Sequence, residues 1–178
     1  SAPFKGSKLN SFNSSSAPGT RGVIGGGQTP GYTDTIGHFS MVSFGNAVDF
    51  GNLQSAKSPR ASFSNGVGNR GLFASNVDAN TNVIDAITIS TLGNGADFGD
   101  LTRSPKRHQG LSNGTNERGV FVGGSVDNTI DFVTISSTGN ATNFGDVAYG
   151  SITADIAADS NDLNERGFYA GGLTPGKT

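Results

Sequence analysis

The chain has 178 residues, 33% of them hydrophobic and 15% charged, with glycine at 28 positions and a formal net charge of −2. Scarce leucine, lysine and glutamate disfavour long amphipathic helices and leave short strands with Gly- and Asn-rich turns, around a thin core supplied by twelve phenylalanines. The lack of cysteine excludes disulfides, thiolate zinc sites and a cysteine nucleophile, and the charge balance argues against nucleic acid, which needs clustered Lys and Arg.

In chain order, the opening SAPFKGSKLN lacks the pattern of a signal peptide. No apolar run approaches a membrane-spanning length, so no membrane insertion is expected. The first landmark is an Arg-Gly step at Arg21, heading the apolar RGVIGGG. It recurs at Arg70 in RGLFAS, Arg118 in RGVFVGG and Arg166 in RGFYAGG, at intervals of 49, 48 and 48 residues. An alternating segment follows the first three steps: TIGHFSMVSFGN from Thr35, VIDAITISTLGN from Val83 and TIDFVTISSTGN from Thr129. Each carries an isoleucine nine residues before its Gly-Asn pair: Ile36, Ile84 and Ile130. Five residues past that glycine stands a phenylalanine, Phe50, Phe98 or Phe144, in DFGNL, DFGDL or NFGDV. A small-residue stretch then leads to the next Arg-Gly, as in SPRASFSNGVGN, SPKRHQGLSNGTNE and ITADIAADSNDLNE.

Several different marks keeping step identify a repeat protein. Residues 1–54, 55–102 and 103–147 make three units, and residues 148–178 make a half repeat with a C-terminal tail. Each unit reads as four short antiparallel strands: the small-residue stretch, the run after Arg-Gly, the alternating segment and the Phe-Gly segment. Period-two alternation separates Ile84, Ala86 and Thr88 from Asp85, Ile87 and Ile89, and one set is expected to face a neighbouring sheet. About four strands per 48 residues is the size of a propeller blade.

A small-residue strand, a hydrophobic run ending in Gly-Gly, an alternating strand and an aromatic strand together resemble the kelch repeat. The glycine doublet is matched at Gly25-Gly26, Gly123-Gly124 and Gly171-Gly172, while the second copy has Ala74-Ser75; phenylalanine stands where kelch repeats typically have Trp. The stretch RGVFVGG with TIDFVTISSTGNATNFGDV is also similar to repeat arrays of virion proteins of tailed phages, particularly those of cyanobacteria and other marine hosts. The resemblance implies an all-β, kelch-like propeller-type array of four-stranded blades, about three and a half in number. It further implies a structural component of a phage particle (tail, fibre or capsid appendage) in a virion or extracellular assembly, with no chemistry of its own.

The candidates for chemistry are few. GGLTPGKT, from Gly171, matches the pattern of a phosphate-binding loop, yet that loop must enter a helix and none is expected to follow. GGGQTPGYT, from Gly25, echoes it, which marks both as repeat turns. His38 and His108 occupy unmatched places in the repeat and have no partners at triad or zinc spacing. Asp85 and Asp131 recur, which reads as strand and turn hydrogen bonding rather than a catalytic pair. Asp78, Asn80 and Asn82, and Asp159 to Glu165, offer oxygen ligands for calcium, though Asx turns explain both stretches. The cluster Arg103 to His108 reads as a solvated turn, and the four repeat arginines as braces to a carboxylate or carbonyl. Tyr32 and Tyr149 are the aromatics that could meet a sugar ring. No catalytic, cofactor-binding or metal residues are therefore assigned, and the chain is expected not to be an enzyme. A propeller takes four to eight blades, so the missing strands are expected from another copy of the chain or from sequence outside this segment. Partners are then copies of itself and other virion proteins; the alternative is a module recognising a glycan or protein on a host surface.

Overall fold

The computed structural model describes residues 20–28, 30–65, 70–77, 81–113, 118–124, 128–148, 156–161 and 166–172. All thirteen strands are antiparallel, and no α-helix occurs among the described residues. The first sheet holds β1 (Arg21–Gln28), β2 (Tyr32–Ser40) and β3 (Val48–Asn52) in that order. The second holds β4 (Ala61–Ser64), β5 (Arg70–Ala74), β6 (Val83–Thr88) and β7 (Ala96–Asp100). The third repeats that order with β8 (Gln109–Ser112), β9 (Arg118–Val122), β10 (Thr129–Thr134) and β11 (Thr142–Asp146). A final pair joins β12 (Ile156–Ser160) to β13 (Gly167–Gly171).

Each sheet falls within one 48-residue period, and every strand pairs with its neighbour in sequence. Local signals fix the connections. Asn65, Asn113 and Asn161 each stand five residues before a repeat arginine and accept its backbone N–H through Oδ1, at 3.1, 2.9 and 3.0 Å. Their own N–H groups donate to the same arginines' carbonyls. A reciprocal Asx bridge therefore closes the first hairpin of units two to four.

The register between β2 and β3 slips at Ile36/Gly37, with Ile36 opposite Gly51 and Gly37 opposite Asp49. The same slip occurs at Ile84/Asp85 and at Ile130/Asp131. One extra residue, the phenylalanine, is thus inserted in β3, β7 and β11. Such a bulge bends the strand and re-aims its side chain. The glycine after it sits at φ 150, 141 and 149° in the three units.

The core lies between sheets. Ile36, Phe50 and Leu53 of the first sheet pack with Phe73, Ile87 and Ile89 of the second. Leu72, Ile84, Phe98 and Leu101 of the second pack with Phe121, Val133 and Ile135 of the third. Both alternating sets of β6 are therefore used: Ile84 faces the third sheet, and Ile87 faces the first. Period-two alternation implied one such face; a sheet stacked on both sides needs two. Leu111, Val122 and Val147 of the third sheet meet Ile156 of β12. At that junction, however, Phe144 remains 54% exposed, whereas Phe50 and Phe98 are 3% and 1% exposed.

Candidate assembly interface

Successive units are joined by main-chain contacts repeated at matching positions. Gly93 N donates to Phe50 O at 2.9 Å, and Gly95 N donates to Asn52 O at 2.7 Å. One period on, Gly139 N donates to Phe98 O and Ala141 N to Asp100 O, both at 2.8 Å. The asparagine of each Gly-Asn pair completes the clasp. Asn94 Oδ1 accepts from Asn52 N, and Asn140 Oδ1 from Asp100 N, each at 3.0 Å. An edge strand that would otherwise present bare N–H and C=O groups is covered by the loop of the next unit.

The bulge glycine permits this approach. A Cβ on Gly51 would lie 2.3 Å from Gly93 O, and one on Gly99 would lie 2.5 Å from Gly139 O. A side chain there would push the next unit away.

The repeat arginines reach across the same junctions. Arg21 Nη1 donates to Ile89 O at 2.5 Å, and Arg70 Nη1 to Ile135 O at 3.1 Å. Their guanidinium groups stand 6.0 and 5.8 Å from the rings of Phe50 and Phe98, within cation–π range. Arg118 stands 4.9 Å from Phe132 and 5.8 Å from Phe144. Arg166 lies beside a cavity between the third sheet and β13.

The recurring aspartates tie linkers to the following unit. Asp85 is fully buried, accepts from Gln54 Nε2 at 2.5 Å and faces the Lys57 ammonium. Asp131, equally buried, accepts from Thr102 N at 3.1 Å and Thr102 Oγ1 at 2.7 Å. Gln54 and Thr102 both follow the last strand of the preceding unit. A second ladder joins the first strands: Ser112 Oγ donates to Ser64 O at 2.7 Å, and Ser160 Oγ to Ser112 O at 2.5 Å.

The glycine doublet is in register differently from its spelling. The fifth residue after each arginine has a left-handed φ: Gly26 at 69°, Ser75 at 75°, Gly123 at 66° and Gly171 at 79°. Gly26-Gly27 is thus the counterpart of Gly123-Gly124 and Gly171-Gly172. Gly25 corresponds instead to Ala74 and Val122, inside the strand.

The histidines stay apart. His38 stacks edge-on to Phe50 at 5.7 Å. His108 is fully buried, edge-on to Phe121 at 5.5 Å, and neither ring nitrogen has a hydrogen-bond partner among the described residues. Burial, reinforced by the Arg103 guanidinium, pushes its pKa down to about 3. Arg103 itself donates to the carbonyls of Gly123 and Thr129, so the basic cluster is partly packed onto its own unit rather than wholly solvated.

No cluster of three or more His, Cys, Asp or Glu side chains able to hold a metal occurs among the described residues. Asp78, Asn80, Tyr149, residues 162–165 and residues 173–178 lie outside them. No helix among the described residues is long and apolar enough to cross a membrane. No known family model matches this chain, and no curated protein does.

The Gly-Asn clasp, the serine ladder and the asparagine bridges escaped the sequence reading. Their signal was present, because Ser64, Ser112 and Ser160 keep a strict interval of 48, as do Asn65, Asn113 and Asn161. The hidden part was that these residues act between units or across a turn.

Proposed function

We propose that the chain is a non-enzymatic structural module of a phage virion or filament, a kelch-like, propeller-type array that assembles through the edges and faces of its repeats. The observation that carries this reading is the clasp, formed twice between units at 2.7–3.0 Å. Recurring positions of the repeat, among them the bulge glycine, the Gly-Asn pair and the arginine, serve adhesion between units. The faces at the array's ends keep the same adhesive chemistry. Gly45 is the counterpart of Gly93, and Met41, Val42 and Phe44 beside it are exposed. Apolar surface of this kind on a repeat end marks a contact surface. The likeness of RGVFVGG and TIDFVTISSTGNATNFGDV to phage virion repeats supplies the setting.

Sedimentation of the purified protein over a wide concentration range tests the reading. Assembly that grows with concentration and weakens in Phe44→Asp is expected. A folded protein that stays monomeric throughout contradicts it.

A further inference from the structure

We infer that the groove between the third sheet and β13 is an acceptor for a two-stranded β-hairpin of this repeat's own outer type. This rests on the structural reading above and names the partner of one end of the array.

The groove encloses about 730 Å³ and is walled by Val120, Ile130, Phe144 and Tyr169, with Arg118 at its rim. In the two inner junctions the equivalent space is filled by the third and fourth strands of the next unit. Ile87 and Ile89 pack there on Phe50, and Val133 and Ile135 pack on Phe98. Among the described residues the fourth unit supplies only β12 and β13, so one edge of β13 and the outer edge of β11 stay open.

The main-chain and arginine contacts that a hairpin makes at the inner junctions have counterparts waiting here, although Ala148 stands where Gln54 and Thr102 bond a hairpin aspartate. Gly145 has a φ of 149°, close to those of Gly51 and Gly99, but nothing lies within 4 Å of where its Cβ would stand. The carbonyls of Phe144 and Asp146 match those of Phe50 and Asn52, which accept from the Gly-Asn loop. The Arg118 guanidinium matches those of Arg21 and Arg70, which donate to a carbonyl of the incoming strand. Chemistry thus specifies the occupant: alternate aliphatic residues on one strand, then a Gly-Asn turn, then a return strand.

Geometry selects two strands rather than a whole unit. The first sheet of a second copy carries β1 hydrogen-bonded to β2. Docked in register, that copy would place β1 where β13 already stands. A free hairpin meets no such obstacle and pairs with β13 by strand addition.

The test uses the whole 178-residue protein and a labelled synthetic peptide with the sequence of Thr129–Asp146, followed by fluorescence anisotropy. Saturable one-to-one binding is expected, about fivefold weaker for the Asn140→Ala peptide and absent for a scrambled one. Val120→Arg in the protein should abolish it; if that variant does not fold, Arg118→Ala should weaken it instead. No saturable binding, or binding indifferent to these changes, overturns the proposal. Self-association that the peptide competes away also overturns it, because a second copy then occupies the groove. Assembly that persists without peptide binding removes this proposal alone, whereas a strict monomer that binds peptide removes the structural reading alone.

Discussion

Ser75 holds a backbone conformation that its three counterparts assign to glycine. Its φ of 75° costs an L-residue about 1 kcal/mol relative to glycine. Its hydroxyl recovers little, since the contact to Asn76 O is long at 3.4 Å. Ser75→Gly should therefore stabilise the protein by about 1 kcal/mol in chemical denaturation; a loss of stability would show that the hydroxyl matters more than the strain. His108 is the second residue at odds with its surroundings. In the unfolded chain it binds a proton near pH 6.5, but in the fold only near pH 3. Below pH 6.5 the unfolded state therefore binds more protons, and stability falls with pH until about 3, by at most about 1.4 kcal/mol per unit. Above 6.5 this contribution is constant. His108→Leu, similar in volume and free of unpaired nitrogens, should flatten the acid limb between those values, as read from unfolding at stepped pH. An unchanged slope would assign the acid sensitivity to other groups.

At the scale of the element, the bulged outer strand is the device on which the stacking depends. The bulge turns its phenylalanine into the core between sheets, and the following glycine lets the next loop come close. Alanine at Gly99 combines backbone strain at φ 141° with a Cβ placed 2.5 Å from Gly139 O. Alanine at Gly145 has the strain without the collision. Gly99→Ala should cost about 3 kcal/mol and Gly145→Ala about 1 kcal/mol; equal losses in thermal unfolding would mean that close approach contributes nothing. The sequence made the Phe-Gly mark plain, because Phe50, Phe98 and Phe144 stand at fixed distance from Gly-Asn. The meaning of the glycine was hidden, since a backbone contact between units leaves no pattern of side chains. The doublet was misaligned for a related reason. Three successive glycines at 25–27 look alike as letters, and only their dihedral angles distinguish strand from turn.

For the whole molecule, local order was the legible part. Arg-Gly runs, alternating segments and Gly-Asn turns follow one another in space as they do in sequence, so strands and pairing could be read directly. Burial on both faces of β6 was less visible, because Thr and Asp interrupt the apolar pattern. Asp85 is buried as deeply as Ile84, but it is held by Gln54 and Lys57 of the preceding linker. The molecule is thus a stack in which the second and third sheets each pack on two neighbours. Its cohesion rests on the apolar layers and on the repeated main-chain clasp.

Amide hydrogen exchange, resolved by residue in a dilute sample, measures that clasp directly. The amides of Gly93, Gly95, Gly139 and Ala141 should be strongly protected, while those of Gly45 and Ala47, at the same place in the first unit, exchange freely. Exchange at Gly93 and Gly139 as fast as at Gly45 would show that the units are not held together in this way.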